Sequence, residues 1–414
     1  MTTTESTGTA AARTPISTRA LTLAVVSLAL GGFAIGTVEF AMMGLLKEVE
    51  HGLHLTTPQA GTLISAYALG VCVGAPLLAA FGARLPRKRL AIGLMVFYAL
   101  ANASSMLASS YGAMALSRFI SGLPHGAYFG IAAVIAASLV PATKRGWAIS
   151  MVMTGLTVAN VIGVPFATWL GQNFGWQLLF ALVSGIALLS AVAIILFVPF
   201  EPATPGASIR RELGALKRIQ VWMALLTGMI GFGGFFATYT YISHTMTEVT
   251  HLPEVFIPLV VAIYGLGMVV GTLIGGRLAD KSVMGAIYRA LVLIAIALAV
   301  YFFAVQWAPT ALLMVFVVGG IGSLLTTPLQ TRLLDASPDA PSLASSLNHA
   351  ALNVGNAIGA FLGGVVIALG FGYAAPALVG AVLALLGLAI ALLSGRLERR
   401  FPVNPAPHHD VVQH

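Results

Sequence analysis

The sequence predicts an all-α membrane protein with twelve transmembrane helices, arranged as two parallel six-helix pseudo-repeats around a central cavity. Three observations predict this fold. The chain is 58% hydrophobic and only 8% charged, whereas soluble domains carry about 25% charged residues. Apolar runs of about twenty residues, long enough to cross a bilayer, recur twelve times. A short motif is repeated, once in the fifth run and once in the eleventh.

The composition also excludes several classes of protein. The long apolar runs exclude a β-barrel, whose strands show short alternation. The net charge of +8 falls in short loops, where basic residues orient a membrane protein, so no nucleic-acid partner is expected. A single cysteine, Cys72, allows no intrachain disulfide. The sequence has no phosphate-binding Gly-x-x-x-x-Gly-Lys-Ser/Thr loop and no His-Glu-x-x-His motif, so neither an ATPase nor a metal site is expected.

The apolar runs define the domain organisation. Their approximate limits are 20–46, 57–82, 90–108, 113–138, 147–170, 176–199, 219–245, 255–279, 288–306, 310–333, 343–370 and 374–394. One polar, basic, proline-containing segment, 200–218, separates the sixth run from the seventh. We therefore predict a tail at 1–19, a six-helix bundle at 20–199, a linker at 200–218, a second bundle at 219–394 and a tail at 395–414. The first run is too long for a signal peptide and is expected to remain uncleaved.

The basic residues predict the orientation. If the N-terminus lies inside, all but two of the 21 lysines and arginines fall in inner loops or at inner span ends. The two exceptions are Lys47, in the first outer loop, and Arg118, in the fourth span. A wrong helix count would scramble this alternation. We therefore expect a multi-pass protein of the inner or plasma membrane, with the linker and both termini in the cytoplasm.

The repeated motif predicts the symmetry. Val158–Gly163 reads VANVIG and Val354–Gly359 reads VGNAIG, an offset of 196 residues (354 minus 158). Phe174–Trp176 resembles Phe371–Tyr373 at nearly the same offset. Because each half has six spans, the halves share one orientation, and their symmetry axis runs along the membrane normal. Binding sites in such folds lie at the repeat interface near the midplane.

Two charges inside the spans predict transport. Glu39 and Arg118 are the only formal charges well inside predicted spans. A charge at mid-membrane costs roughly 2.5–3.5 kcal/mol on insertion scales, so such residues are usually functional. Both lie in the outer half of the predicted topology, close enough in depth to pair. The alternative for Arg118 is an anchor that reaches the outer interface, since it lies about 9 Å from Gly112 along the helix.

Two loops carry a family signature. The loop after span two reads GARLPRKR from Gly82 to Arg89, and the loop after span eight reads GRLADK from Gly276 to Lys281. Both resemble the Gly-x-Leu-Ala-Asp-Arg-x-Gly-Arg-Lys signature of the major facilitator superfamily, although Ala83 replaces the aspartate in the first loop. The resemblance implies that these loops close an inner gate, and Asp280 is then the acid that remains. The gating residues it indicates are Arg84, Arg87, Lys88, Arg277 and Asp280; alternatively, the bases only orient the loops.

Spans four and five extend the resemblance to the twelve-span drug:proton antiporters, near the arabinose-exporter and chloramphenicol-exporter branch, over essentially the whole chain. Arg118 and Gly122 match the family's Arg-x-x-x-Gly pattern, whose arginine is implicated in proton coupling. Span five resembles the antiporter signature of spaced glycines before a Gly-Pro pair, with Val164 inserted. Such a bent, small-residue surface packs the halves and limits proton leak. Its residues here are Gly155, Asn160, Gly163 and Pro165.

The resemblance also implies that spans one, four, seven and ten line the central cavity. These spans hold polar and aromatic residues, and an aromatic wall suits flat, amphiphilic substrates. For any one aromatic residue, ordinary packing is the alternative. The candidate substrate-binding residues are Glu39, His125, Phe232, Phe235, Phe236, Tyr239, Thr327 and Gln330.

Together these features predict a substrate:H⁺ antiporter that exports small amphiphilic compounds, such as chloramphenicol-like antibiotics, by alternating access. Glu39 and Arg118 are its predicted proton-coupling residues. The proton gradient supplies the energy, no cofactor is expected, and the chain is expected to act as a monomer in the lipid bilayer. The alternative is a sugar or metabolite exporter or facilitator in which Glu39 binds substrate without proton coupling. An enzyme is not expected, because Glu39 has no second acid within the spans to form a catalytic pair.

Overall fold

The computed structural model describes residues 17–82, 85–141, 145–200, 214–337 and 340–398, and every regular element in these ranges is a helix. Twelve helices of this part of the chain are long and apolar enough to cross a membrane. They are α1 (Thr18–Gly44), α2 (Thr57–Gly82), α3 (Arg87–Met106), α4 (Tyr111–Ser138), α5 (Arg145–Val158, Ala159–Gly163 and Val164–Phe174), α6 (Gln177–Phe197), α7 (Ile219–Gly231 and Gly233–Thr240), α8 (Ile257–Lys281), α9 (Val283–Ala304), α10 (Ala308–Ser323 and Thr326–Ala336), α11 (Pro341–Ala368) and α12 (Pro376–Glu398). The predicted all-α membrane fold with twelve spans is confirmed. The tails and most of the linker lie outside the described residues, so the domain limits stay predictions.

Local sequence explains where several helices begin. Ser17, Ser110 and Ser282 each accept a hydrogen bond from the backbone amide three residues further along, which caps α1, α4 and α9. After α1 the chain turns at Leu45 into a short helix, Leu46–Leu53. The loop that joins α1 to α2 is therefore partly ordered, and it places charged side chains at this end of the bundle.

Three of the spans are interrupted. Ala159–Gly163 forms a π-helical turn within α5, and Phe232 separates the two segments of α7. Leu324 and Leu325 separate the two segments of α10. Such breaks are common at functional sites, because they redirect side chains and release backbone groups.

Glycines allow the helices of each half to pack closely. A Cβ added to Gly122 of α4 would overlap the carbonyl oxygen of Tyr67 in α2, and Gly70 of α2 makes a similar approach to α4. In the second half, a Cβ added to Gly271 of α8 would likewise overlap the carbonyl oxygen of Gly320 in α10. Small residues at such crossings let two backbones touch inside a membrane.

Gly122→Val is expected to destabilise the folded protein by about 1–3 kcal/mol or more, because the backbone of α2 cannot move away from the added methyl groups. The measurement is the thermal midpoint of the detergent-solubilised protein, with the yield of monodisperse protein. Gly93→Val in α3 is the matched control, since a Cβ there meets nothing within 4 Å. Equal midpoints for the two variants would contradict the packing argument.

The structure confirms the internal repeat. Gly163 of α5 packs against Thr37 of α1. Gly359 of α11, which lies 196 residues later (359 minus 163), packs against Gly233 and Ala237 of α7. Since α1 and α7 are the first helices of the two halves, equivalent glycines make equivalent contacts.

The two halves meet along two helix pairs. Gly265 of α8 lies against the backbone of Asn160 in α5. On the other side, the hydroxyl of Ser65 in α2 donates a hydrogen bond of 3.0 Å to the carbonyl oxygen of Ala357 in α11. The fifth helix of each half therefore packs against the second helix of the other, as expected for parallel pseudo-repeats. Between these pairs, α1 faces α7.

Candidate functional site

Glu39 is buried in α1, five residues before the helix ends at Gly44. Its carboxyl group interacts electrostatically with the guanidinium of Arg118, and the side-chain amide of Asn353 is its hydrogen-bonding neighbour. The ion pairs formed by the described residues do not include one between Glu39 and Arg118. The predicted acid and base therefore influence each other without forming an ion pair. The third group at Glu39, the amide of Asn353, belongs to the second half.

Arg118 is held inside the first half by aromatic rings. Only 1% of it is exposed. Its guanidinium carbon lies 4.3 Å from the ring centre of Tyr67 and 5.7 Å from that of Phe180. Its Nε and Nη1 atoms are buried without a hydrogen-bond partner. The rings of α2 and α6 thus supply the main contacts of this cation, and the side chain lies within the bundle.

A string of polar groups runs from Arg118 to the second half. The hydroxyl of Tyr67 lies 3.3 Å from that of Tyr98 and 3.0 Å from Nδ1 of His125. The rings of His125 and His349 have centres 5.9 Å apart. His349 also stacks on Phe129 with ring centres 4.7 Å apart and planes 3° from parallel. The site is therefore built from α1, α2, α3 and α4 of one half and α11 of the other.

Sequence reasoning found Glu39, Arg118 and His125 but missed four members of this site. They are Tyr67, Tyr98, His349 and Asn353. A signal was present for α11, because His349 and Asn353 lie four residues apart in an apolar span and therefore share one helix face. Buried polar residues within spans are uncommon, and such a face is a functional candidate.

The predicted aromatic wall of α7 is a contact between the halves. Phe232, Phe235, Phe236 and Tyr239 are all buried. The ring of Phe40 in α1 lies 6.2 Å from Phe236 and 5.6 Å from Tyr239, measured between ring centres. Because Phe40 follows Glu39 directly, the aromatic wall adjoins the buried acid. In this conformation the rings fill the space between α1 and α7.

Thr327 and Gln330 lie at a different depth. Both are half-buried at the start of the second segment of α10. Glu39 lies about 7.5 Å from the end of α1, whereas Thr327 lies about 13.5 Å from the end of α10, at 1.5 Å per residue. Those two ends face opposite sides of the bundle, because α1 and α10 run antiparallel. The structure therefore does not bring these candidates to the Glu39 cluster.

Among the predicted gating residues, Lys88 contacts its own half, and Arg277 and Asp280 are exposed. Lys88 donates a hydrogen bond of 2.8 Å to the carbonyl oxygen of Ile195, within its own half. Arg277 and Asp280 are exposed, and neither forms an ion pair with a residue that the structure describes. Arg87 is half-buried, and Arg84 lies outside the described residues.

The antiporter-like motif of α5 packs the helix on two neighbours. Gly155 and Gly163 both lie against α1. Asn160 is buried, its Oδ1 atom has no hydrogen-bond partner, and its backbone meets Gly265 of the other half. Pro165 is the second residue of the segment after the π-helical turn. The motif is therefore a small-residue surface at a bent helix, which agrees with the predicted packing role.

At the end of the bundle where α1 ends, here called the closed end, charged groups join the halves. Lys47 forms ion pairs with Glu248 and, at 3.4 Å, with Glu254. Oε2 of Glu50 and Nε2 of His244 lie 2.9 Å apart in a hydrogen bond, and both side chains are buried. These three ion pairs, Lys47–Glu248, Lys47–Glu254 and Glu50–His244, all join the two halves at this end.

The Lys47–Glu248 pair stays charged over a wide pH range. Burial opposes the charge of Lys47, but the hydrogen bond and charge of Glu248 outweigh it and raise the pKa of Lys47 from 10.5. The hydrogen bond from Lys47 lowers the pKa of Glu248 from 4.5. The stabilisation from the raised lysine is lost only as the pH rises above 10.5, and that from the lowered glutamate only as the pH falls below 4.5. The pair therefore cannot act as a sensor near neutral pH.

Lys47→Gln is expected to increase the open fraction at the closed end by a few-fold, since partly exposed ion pairs contribute about 0–1 kcal/mol. Spin labels on the exposed residues Leu107 and Trp307, which lie in loops at this end in different halves, measure the opening as a distance. High salt should open the parent protein but not the variant, because salt screens the pair. A distance distribution identical to the parent's at low salt would contradict this role.

The chain resembles known proteins in both sequence and structure. The family model described as Major Facilitator Superfamily matches residues 28–340 and, in a second match, residues 223–413. The chain is 41% identical over 375 residues to the "Inner membrane transport protein YdhP" of Escherichia coli (strain K12), covering 90% of this chain and 96% of that one. It is 33% identical to the "Putative transporter AraJ" of the same organism, covering 91% and 96%. It is also 33% identical to the "Chloramphenicol resistance protein" of Streptomyces lividans, covering 88% and 94%.

Two solved structures share the fold. A bacterial homologue of the human lysosomal transporter Spinster, in an inward-facing and unoccupied conformation, has a TM-score of 0.74 at 15% identity, covering 94% of this chain and 100% of that one. The human organic anion transporter MFSD10 has a TM-score of 0.65 at 16% identity, covering 90% and 99%. At these identities the likeness concerns the fold alone.

Proposed function

The chain belongs to the major facilitator superfamily and is a multi-pass membrane transporter, and from this premise we propose that it is a substrate:H⁺ antiporter that exports small amphiphilic compounds. With both termini in the cytoplasm, the closed end faces the outside of the cell. The described conformation is then shut toward the outside by the pairs around Lys47 and Glu50, while Asp280 and Arg277 on the opposite side are exposed and form no ion pair with the residues that the structure describes.

One observation carries the proposal: Glu39 is a buried carboxyl group with no ion-pair partner among the described residues, and it contacts groups of both halves. A carboxyl group in such surroundings can change its charge without breaking an ion pair. Its charge is felt by Arg118 in the first half and by Asn353 in the second. A proton on Glu39 therefore alters the interaction between the two bodies that alternating access moves.

The cycle follows from this arrangement. In the outward-open state Glu39 takes a proton from the medium as substrate leaves. The protonated transporter then closes at its outer end. On the inner side the proton is released and substrate binds. The substrate-loaded transporter then returns to the outward-open state. Arg118 stabilises the ionised carboxyl group during the inner half of the cycle, because a nearby cation favours the charged form.

The aromatic wall indicates the class of substrate. Phe236 and Tyr239 meet Phe40 between the halves, and their separation would expose flat apolar faces directly beside Glu39. Such a surface suits a compound with an aromatic ring and a few polar groups. The relative whose name is "Chloramphenicol resistance protein" supports phenicols as the first compounds to test.

The test is transport by the purified protein in proteoliposomes with an imposed pH gradient. Phenicols and simple sugars are offered in parallel, and a dye reports the internal pH. Antiport predicts that phenicol accumulates against its gradient, that its addition drives proton movement, and that a protonophore stops both. Accumulation of a sugar instead, or transport indifferent to the protonophore, would favour the uncoupled exporter and contradict the proposal.

A further inference from the structure

His349 of α11 is a histidine within a membrane-spanning helix of the second half. It lies eight residues after α11 begins at Pro341 (349 minus 341), about 12 Å from the end of the helix that is opposite to the closed end. Its carbonyl oxygen accepts a hydrogen bond of 3.0 Å from the side chain of Asn353, but neither nitrogen of its ring is hydrogen-bonded to a residue that the structure describes. An ionisable side chain at such a depth is costly and usually functional.

The ring of His349 lies on the side of α11 that faces the other half. It shares a helix face with Asn353 and Asn356, which follow four and seven residues later and are both buried. Phe361 and Val365 are exposed and lie on another face of the helix. His349 is itself only half-buried, so the space between the halves is open at its depth.

An aromatic platform from the first half supports this ring. The rings of His349 and Phe129 have centres 4.7 Å apart and planes 3° from parallel. The ring of His125 lies 5.4 Å from Phe129 and 5.9 Å from His349, measured between centres. Phe129 and His125 are buried, whereas His349 is partly accessible. A flat ring that enters from the inner side can therefore extend the stack at His349.

The charges near this stack favour an uncharged ligand. Nδ1 of His125 lies 3.0 Å from the hydroxyl of Tyr67, and the guanidinium of Arg118 lies 4.3 Å from the centre of the Tyr67 ring. The only acid well inside the predicted spans is Glu39, which the proposed function uses for the proton. A cationic ligand would therefore meet the charge of Arg118 without a free acid to offset it.

We infer that His349 and Phe129 form a substrate subsite on the inner side of the Glu39 cluster, which takes an uncharged aromatic compound that carries an alcohol or amide group. A neutral imidazole has one N–H donor and one acceptor nitrogen, and such a group can pair with either of them. His349 is thereby a specificity-determining residue on α11, a span that the family resemblance does not place in the cavity wall. The inference rests on the proposed function in taking the space between the halves as the path of an amphiphilic substrate.

The first experiment measures whether a ligand covers this position. Cys72→Ala removes the single cysteine, and His349→Cys then places a thiol in the subsite. The protein in lipid nanodiscs reacts with N-ethylmaleimide, with or without chloramphenicol, an uncharged aromatic compound with alcohol and amide groups. Chloramphenicol should slow the reaction several-fold, whereas tetraphenylphosphonium, an aromatic cation, should not. Leu107→Cys, in an exposed loop at the closed end, is the matched control and should react equally in all three conditions.

The second experiment measures the Kd of chloramphenicol for purified variants. His349→Phe keeps a flat ring against Phe129 but has no donor or acceptor, so the Kd should rise by up to about tenfold, the effect of one hydrogen bond. His349→Gln restores a donor and an acceptor and should recover most of the affinity. His51→Phe, on the exposed side of the short helix Leu46–Leu53, should bind like the parent. A merely structural role would change the thermal midpoint without this difference between phenylalanine and glutamine.

Three results would overturn the inference: a labelling rate of His349→Cys that chloramphenicol does not change, equal protection by tetraphenylphosphonium, or the parent's affinity in His349→Phe. The proposed function is tested separately by transport of the parent in proteoliposomes. Protection at His349 without proton-coupled movement of chloramphenicol would retain the inference and reject the antiport. Proton-coupled movement of chloramphenicol without protection at His349 would do the reverse.

Discussion

Glu39→Gln is expected to abolish transport driven by a pH gradient while leaving the protein folded. Glutamine keeps the size of the side chain and one acceptor oxygen, and its other oxygen becomes an NH2 donor. It cannot bind or release a proton. A gradient of one pH unit is worth about 1.4 kcal/mol per proton, which supports about a tenfold accumulation of a neutral substrate. In the variant this accumulation should fall to equality of the two concentrations, although exchange down the substrate's own gradient can continue.

The measurement is the accumulation ratio in proteoliposomes, with a thermal midpoint to show that the variant is folded. Glu48→Gln is the matched control, because it removes an acid nine residues away (48 minus 39) on the short helix Leu46–Leu53, outside the spans. Burial raises the pKa of Glu48, so this control separates a half-buried acid near the end of α1 from the acid that faces both halves. Full gradient-driven accumulation by Glu39→Gln would reject Glu39 as the coupling residue.

Sequence alone predicted the parts of this molecule that depend on local composition. The apolar run around Glu39 defines a span by its length, and a charge within it is costly wherever the helix packs. The glycines of α5 indicated a close helix contact for the same reason, since only small residues permit it. These inferences required no knowledge of which helices are neighbours.

The partners of Glu39 could not be predicted in this way. Asn353 lies 314 residues later (353 minus 39) and reaches Glu39 only because α11 of one half packs beside α2 of the other. Nothing in the local sequence of either residue specifies that neighbour. Thr327 was placed at the site by the resemblance, yet α10 breaks just before it at Leu324 and Leu325, and the helix continues at another depth. A single sequence does not show where such a break falls.

Arg118→Met is expected to abolish coupled transport and at the same time to leave the fold unchanged in stability or more stable, by up to about 1–4 kcal/mol. The guanidinium is buried with two nitrogen atoms unpartnered, so its desolvation is only partly offset by the ring of Tyr67. Methionine fills a similar volume, and its thioether also packs favourably on aromatic rings. Arg118→Lys should not restore transport fully, because a lysine keeps the charge but lacks the planar group that stacks on Tyr67.

Arg332→Met is the matched control, because this substitution is expected to lower the stability of the fold. Arg332 is also a buried arginine, but it forms an ion pair of 2.8 Å with Glu398 and a hydrogen bond of 3.0 Å with Gln220. Its removal takes the ion-pair partner from Glu398 and one of the donors from Gln220, which also accepts from Ser394, and the thermal midpoint should fall. On this argument the fold does not need the buried cation of Arg118, which forms no ion pair with the neighbouring Glu39. Arg118 is therefore retained because transport requires it. That argument fails if Arg118→Met lowers the thermal midpoint as much as Arg332→Met, since Arg118 would then be a structural residue.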